Sequence, residues 1–462
     1  MRTAFGAGVG LVTAAGLAAP PEPGVVYDDE PGAVYTGVID APLPSGALLG
    51  RGIAHSGPGD ELVDLVFMGD GYTASEQAEF LADANRAANG VFAYEPFISY
   101  LPYLDFHFIE VVSNESGVDN DPAQGIDRDT ALGMTYWCNG IERLLCVDTA
   151  AARAMAFRNV PGWDVIVPLA NSGKYGGAGY PSLNIATAAA KNSATGDIVI
   201  HELGHALGNL ADEYTYGGPF AWGGGEPGTA NVSIFDAAQM AAQDRKWADW
   251  LGASLPGFDN PVGTYEGANY SVQGIYRPSN NSMMRSLGRP FNLVSAEELV
   301  IAIHDASDMI RGATPEPGTV HESGSMTVEV LESAQGPMLV RWLVNGAVVF
   351  EGDGVYARTI DELGAGPGDT VTVEVVDDTP WVRDEVARDQ VMTERLTWEV
   401  TGTPCGVADL RPPFGVLDIT DVDRFVFAFV LGFPEADLAE PFGTIDLDDV
   451  DAFIGSFLAG CP

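Results

Sequence analysis

The spacing of apolar residues changes along the chain, and each spacing predicts a different kind of structure. Residues 60–312 alternate short apolar runs, such as VDLVFMGD and WDVIVPLA, with segments whose apolar positions recur every three or four residues. The short runs are typical of buried strands, and the longer segments are typical of amphipathic helices. We therefore predict one α/β (α+β) domain of mixed strands and helices over this range.

Residues 316–402 have a stricter alternation of apolar and polar positions, as in SMTVEVLE and DTVTVEVVDD. Between two apolar runs stand Asn345 and Gly346, which both tolerate a positive φ and so predict a tight hairpin. The preceding segment RGATPEPGTV is rich in Pro, Gly and Thr and predicts a linker. We predict an all-β sandwich over residues 316–402, with a packing or binding role.

The last segment, residues 405–462, contains a repeat of 28 residues that begins at Ala408 and again at Ala436. Each copy joins an acidic loop to an apolar helix, and the two helices can pack together. The aspartates that match between the copies are Asp409, Asp418 and Asp421 in the first and Asp437, Asp446 and Asp449 in the second. Their carboxylates predict either a calcium site or a solvated acidic surface, and the sequence leaves both open.

This small duplicated helical tail resembles the dockerin modules of secreted bacterial proteins, in the Phe- and Pro-rich, cysteine-closed (GC-type) variety found as a C-terminal anchor. The resemblance covers residues 405–462 alone. It implies a cohesin-like anchoring partner. Several positions that are acidic near the start of a calcium-binding loop hold Pro, Arg, Ala or Phe here, so the set of oxygen ligands is thin.

The first residues, MRTAFGAGVGLVTAAGLAAP, combine one Arg with a short uncharged run and small residues before Pro20. This pattern predicts a signal peptide over residues 1–19, followed by an extension over residues 20–59, which is a candidate inhibitory propeptide. No later apolar run reaches the length of a membrane span. We expect the mature protein to be secreted, either extracellular or tethered to the cell surface.

The net charge limits the classes of binding partner, and the cysteine content bears on the cellular compartment of the protein. The formal net charge of −43 would repel nucleic acid, which we exclude as a partner. The four cysteines form two natural pairs, Cys138 with Cys146 and Cys405 with Cys461, and neither pair has the spacing of a zinc or redox motif. In an exported protein both pairs predict structural disulfides.

The chemistry of the chain concentrates in DIVIHELGHALGNLADEY, residues 197–214. His201 and His205 stand four apart, so on a helix their imidazoles project from one face and can bind one zinc ion. Glu202 stands beside the first histidine, where its carboxylate can take the proton of a water that attacks a peptide carbonyl. We predict a zinc-dependent peptidase site on this helix.

The third ligand follows the helix. Gly208 marks the point where the helix of a metzincin-type enzyme ends, but three residues later stands Ala211, which binds nothing. Asp212 and Glu213 come next, and both are candidates. Farther along, Ser282-Met283-Met284 is similar to the methionine turn beneath a metzincin zinc site.

Together with NSGKYGGAGY and NNSMMRS, this helix resembles peptidase family M64, the IgA-peptidase-type zinc metallopeptidases. The resemblance covers about residues 60–312 and implies a metzincin-like fold with one catalytic zinc. Carried over by residue, it implies His201 and His205 as zinc ligands, Glu202 as general base, and Asp212 as third ligand with Glu213 as its competitor. It also implies that the glycine-rich KYGGAGY borders the cleft, where an extended protein or peptide substrate adds as a strand.

Two hypotheses of another class stay open at this point. One is a non-catalytic surface adhesin that keeps the metal, although an intact Glu202 disfavours it because a purely structural zinc site does not need a general base. The other is a calcium-dependent scaffold component recruited through the tail. A lone histidine, His304, lies in an apolar segment and predicts a core position rather than a ligand.

Overall fold

The computed structural model describes residues 62–216 and 220–461. The predicted signal peptide and the whole N-terminal extension, residues 1–59, lie outside the described residues. Within these two ranges, no helix has the length and apolar character that crossing a membrane requires.

The first sheet has five strands in the order β2-β1-β3-β5-β4. Its strands are β1 (Val63–Asp70), β2 (Leu104–Ile109), β3 (Val165–Ala170), β4 (Gly177–Tyr180) and β5 (Ile185–Ala189). Four of them run parallel, and β4 is an antiparallel edge strand. Strands β1 and β3 are buried on both faces, which explains their continuous apolar runs in the sequence.

Helices cover both faces of this sheet. The first five helices of the chain are α1 (Gln77–Val91), α2 (Thr149–Asn159), α3 (Thr195–Ala206), α4 (Ala237–Gln243) and α5 (Leu293–Asp305). Residues of α1 and α3 share one hydrophobic core with Leu65 and Phe67 of β1, whereas α2 shares another with Val66 and Met68. The alternation of side chains along β1 therefore separates the two layers of helices. A hairpin of β6 (Tyr265–Ala268) and β7 (Ser271–Arg277) precedes α5.

The following segment forms two further sheets. One has the order β13-β10-β8, and the other has the order β12-β11-β14-β15-β9. Their bounds are β8 Ile310–Thr314, β9 Gly318–His321, β10 Ser325–Val330, β11 Leu339–Val344, β12 Ala347–Asp353, β13 Ala357–Thr359, β14 Thr370–Val376 and β15 Thr393–Thr401. Two short helices, α6 (Ile360–Leu363) and α7 (Glu385–Val391), interrupt them. Inward side chains of both sheets, such as Val328 and Trp342, belong to one core.

Two predictions about this segment have different outcomes. The hairpin at Asn345-Gly346 is confirmed, because these residues connect β11 to β12 with φ values of 51° and 78°. The predicted linker over residues 311–320 is wrong, since most of it lies in β8 and β9. Its prolines, Pro315 and Pro317, fall between the two strands, where they break no strand hydrogen bond.

The β-rich segment is joined to the first domain through a buried carboxylate. Asp377 accepts hydrogen bonds from the Tyr100 hydroxyl at 2.6 Å and from His304 Nε2 at 3.0 Å. His304 is buried, so the prediction of a core position is confirmed, although the core there includes this polar link. Burial raises the pKa of Asp377, but its bonds with His304 and Tyr100 outweigh burial and leave the pKa below its ordinary value.

The tail holds two helices, α8 (Ile419–Leu431) and α9 (Leu447–Ala459), at equivalent positions of the repeat. The rings of Phe425 and Phe453, which also correspond, stack with their centroids 4.2 Å apart. Both disulfides are present, Cys405–Cys461 closing the tail and Cys138–Cys146 closing a loop of the first domain. The predicted pairing of the cysteines is therefore confirmed.

Candidate metal centre

Helix α3 carries the histidine motif and packs its apolar face into the first domain. Ile198, Val199 and Leu203 are buried in the core shared with α1. The helix begins at Thr195, whose hydroxyl donates to the Ala189 carbonyl at the end of β5. Because the core fixes this face, His201 and His205 project together from the other side of the helix, with side chains 12% exposed.

The structure brings Asp212 to the two histidines, and the side chains of His201, His205 and Asp212 form the candidate metal cluster. Its Oδ1 atom lies 3.2 Å from Nε2 of His201 and 3.2 Å from Nε2 of His205. The three ligand atoms all lie within 4.8 Å of one another. Asp212 is buried, and its Oδ1 has no hydrogen bond of acceptable geometry. A buried carboxylate oxygen that faces two imidazole nitrogens and has no hydrogen bond of its own fits a bound cation.

The contacts of Nδ1 in each imidazole determine the state of Nε2, the atom that faces Asp212 Oδ1. Nδ1 of His201 lies 2.9 Å from the Met283 carbonyl, and Nδ1 of His205 lies 2.6 Å from the Leu210 carbonyl. A carbonyl oxygen accepts only, so each Nδ1 carries the proton. In neutral imidazoles both Nε2 atoms then direct a lone pair toward Asp212, which is the arrangement of a metal-binding histidine pair with its supporting carbonyls.

The electrostatics of the cluster favour positive charge at its centre. Burial alone would lower the pKa of His205. Asp212, Glu202 and the Leu210 carbonyl together have the larger, opposite effect and raise this pKa to about 9. Burial raises the pKa of Asp212, and the two histidines reverse this and hold it well below its ordinary range. The raised pKa of His205 and the lowered pKa of Asp212 both show that positive charge next to this carboxylate is favourable, so a divalent cation fits the same position.

Glu202 lies on the same helix, beside the edge strand β4. Its burial raises the pKa of its carboxyl group. The backbone of β4 comes so close that a Cβ built on Gly179 would lie 2.9 Å from Glu202 Oε2 and 2.7 Å from His205 Cβ. A glycine at this position is therefore required for the strand to approach the histidine helix.

The free edge of β4 is partly occupied by the disulfide loop. The Gly177 N–H donates to the Arg143 carbonyl at 3.3 Å, and the Leu145 N–H donates to the Gly177 carbonyl. Backbone groups of alternate residues point the same way in an antiparallel strand, so the next outward pair belongs to Gly179. The edge of the sheet thus presents the backbone of Gly179 directly beside the cluster.

The two acidic candidates of the sequence separate clearly. Glu213 is fully buried and does not join the group of potential ligand atoms that Asp212 forms with His201 and His205. Its carboxylate accepts hydrogen bonds from Ser282 Oγ at 2.7 Å, Asn292 Nδ2 at 2.8 Å and Asn231 Nδ2 at 3.0 Å. The lone pairs of Glu213 are therefore engaged in tying the loop after α3 to the start of α5, whereas Asp212 is left for the cluster.

The segment with Met283 and Met284 lies beneath α3. A Cβ on Gly204 would lie 2.6 Å from Met284 Sδ, and the Met283 carbonyl is the partner of His201. The ring centroid of Tyr214 lies 6.5 Å from that of His201. Sequence reasoning missed Tyr270, whose hydroxyl donates to Asp212 Oδ2. The signal available was the short Asn-Tyr turn between two strand-like runs, TYEGA and SVQGIYR.

The six aspartates of the tail have other partners. Asp418 and Asp446 cap the N-termini of α8 and α9. Asp421 accepts the backbone N–H groups of Leu410, Arg411 and Asp418, and Asp449 accepts those of Leu438, Ala439 and Asp446.

Asp409 accepts two backbone N–H groups with Oδ2 and Asp437 accepts one, and each keeps a buried Oδ1 without a partner. In the described part of the chain, no three of the six tail aspartates gather their oxygens within 4.8 Å.

Comparison with known families places this site in a class. The model of the family described as IgA Peptidase M64 matches residues 52–258 and 257–303, which is more than half of the chain. The chain belongs to this peptidase family. No curated protein matches the chain.

Proposed function

We propose that the protein is a secreted zinc-dependent endopeptidase that hydrolyses peptide bonds of extracellular proteins. The observation that carries the proposal is the position of Asp212 Oδ1, buried and 3.2 Å from Nε2 of both His201 and His205. His201, His205 and Asp212 would hold one zinc ion. Zinc bound there supplies a Lewis acid that makes water more acidic and polarises a carbonyl group.

The protein's own groups then account for binding and proton transfer. An extended substrate adds as a strand to the edge of β4, where the Gly179 N–H and C=O face outward and hold the scissile bond beside Glu202. A Glu202 carboxylate oxygen takes the proton of the attacking water and returns it to the leaving nitrogen. Burial raises the pKa of the Glu202 carboxyl group, which makes its carboxylate a stronger base for the first of these steps.

Digestion of an unfolded protein tests this proposal. We expect the purified chain to contain about one zinc and to cleave casein in a chelator-sensitive way. Glu202→Gln should retain the zinc and lose roughly 10²–10⁴-fold in kcat. Zinc in both proteins with cleavage by neither would favour the non-catalytic adhesin. Absence of zinc from both would overturn the assignment of His201, His205 and Asp212.

Export is part of the proposal and rests on the signal-peptide pattern of residues 1–19 together with the two disulfides, which are typical of oxidising compartments. Secretion of active protein with its N-terminus near residue 20 is the expected result.

A recruiting role of the tail is a second candidate function. Apolar side chains remain exposed at matching positions of both helices, Ile419 and Val430 of α8 and Leu447 and Leu458 of α9, at 68–80%. Exposed apolar residues on a small module favour a protein partner, as the dockerin-like resemblance implies. Removal of residues 405–462 should release the enzyme from the cell surface and leave casein cleavage unchanged. An unchanged cell-bound fraction would argue against this role, and calcium binding by the tail stays a prediction.

A further inference from the structure

The turn between β6 and β7 contains a tyrosine, Tyr270, in a backbone conformation that a bulky residue rarely adopts. Asn269 and Tyr270 connect the strands, and their φ values are 44° and 65°. Two positive φ values in a two-residue loop are the mark of a type I′ turn, whose second position strongly favours glycine. A bulky side chain in the left-handed region is strained, and such strain is found where it serves a function.

Burial of the ring does not explain the choice of tyrosine. Tyr270 is 40% exposed, so much of its surface stays in water. Its ring stacks on Tyr216, with centroids 5.0 Å apart and planes at 9°, and its hydroxyl donates to Asp212 Oδ2. The directed contact of this side chain is therefore with the carboxylate of the metal cluster.

The backbone of the turn is attached to the same segment. The Asn269 N–H donates to the Asp212 carbonyl at 2.9 Å, and the Tyr270 N–H donates to the Tyr214 carbonyl at 3.0 Å. These two bonds fix the tip of the hairpin against the chain on the C-terminal side of α3. The strained φ of Tyr270 thus places its hydroxyl at a defined point relative to Asp212.

The two oxygens of Asp212 have different surroundings as a result. Oδ2 is held by the Tyr270 hydroxyl, and Oδ1 faces Nε2 of both histidines. A carboxylate with one oxygen restrained presents the other in a single orientation, as partners behind a metal ligand generally ensure. We infer that Tyr270 is a positioning residue that orients Asp212 for metal binding. This inference rests on the proposed zinc site.

Zinc affinity of the full chain tests the inference without a measurement of activity. The metal is removed with a chelator, and zinc is titrated back in competition with a chromophoric chelator. Tyr270→Phe keeps the ring on Tyr216 and removes the hydroxyl. It should weaken zinc binding roughly 10–100-fold and change the visible spectrum of the cobalt-substituted protein. Tyr265→Phe is the matched control, because this hydroxyl on the same hairpin donates to the Pro261 carbonyl and should leave both readouts unchanged.

Tyr270→Gly keeps the test valid if the phenylalanine variant folds poorly, because glycine suits the left-handed position. It should weaken zinc binding at least as much as Tyr270→Phe. Wild-type affinity in both variants would overturn the inference, and so would loss in Tyr270→Phe with full affinity in Tyr270→Gly. Failure of the unmodified chain to bind zinc would overturn the proposed function and this inference with it.

Discussion

The metal cluster and the C-terminal repeat both contain buried aspartates, but the two regions engage them differently. In the repeat, Asp421 and Asp449 use both oxygens to accept backbone N–H groups, one oxygen from the preceding loop and the other from the N-cap residue of the helix. Asp212 accepts a hydrogen bond from Tyr270 with one oxygen, and its other oxygen faces two imidazoles. A carboxylate whose two oxygens both accept backbone N–H groups has a structural role, whereas one that keeps an oxygen facing two imidazoles is available to a metal.

The largest expected effect is on zinc itself. Asp212→Ala removes the oxygen between the two histidines, and zinc affinity should fall by more than the roughly 100-fold that loss of a supporting partner costs. Casein cleavage should fall with it. The matched control is Asp437→Ala in the tail, where a buried oxygen is also unpartnered but, among the described residues, Asp437 joins no group of potential metal ligands. Elemental analysis and casein digestion check both variants, and zinc loss in the control would break the comparison.

The next effect separates Glu213 from Asp212. Glu213→Ala leaves the donors of Ser282, Asn231 and Asn292 without their buried acceptor, so the free energy of unfolding should fall by about 2–5 kcal/mol. Glu213→Gln retains an acceptor oxygen and should cost much less. Denaturant unfolding measures both changes. Glu213→Gln should also retain zinc, and its failure to do so would return Glu213 to the list of ligands.

The sequence predicted the parts of this site that depend on local spacing. His201, Glu202 and His205 follow from one turn of one helix, and the Asn345-Gly346 hairpin follows from the φ values that two adjacent residues tolerate. The choice between Asp212 and Glu213 could not be read locally, because Ser282 and Asn292 engage Glu213 from 69 and 79 residues away.

Tyr270 was missed for the same reason, since it meets Asp212 across 58 residues. In the fold, β8 and β9 were missed because each is a strand of four or five residues next to a proline. So short a strand acquires its conformation from the sheet that it joins rather than from its own composition.

Another buried carboxylate, Asp377, predicts how the free energy of unfolding depends on pH. Because the pKa of Asp377 is lowered in the folded protein, its carboxylate stabilises the fold at pH values above 3.8, its ordinary pKa. This contribution to stability is lost as the pH falls through 3.8 and below. Asp377→Asn should reduce the free energy of unfolding by roughly 1–3 kcal/mol at pH 7, because Tyr100 and His304 lose a charged acceptor. The gap between variant and wild type should narrow as the pH falls toward 3. A gap that stays constant with pH would show that Asp377 contributes no pH-dependent stability.

The smallest effect concerns the tail, where a carboxylate with a purely structural role can be tested against its repeat partner. Asp421→Ala removes the acceptor of three backbone N–H groups, including that of the cap residue Asp418, and the tail should lose about 0.5–2 kcal/mol, the usual cost of disrupting the capping of a helix N-terminus. Asp449→Ala should cost a similar amount, since its three bonds are equivalent. Hydrogen exchange of α8 and α9 resolves the change to each helix. Because neither aspartate lies in the peptidase domain, zinc content and casein cleavage should stay at the wild-type level. A fall in either would mean that the repeat and the metal cluster are coupled, so that the two regions could no longer be treated as independent uses of the same side chain.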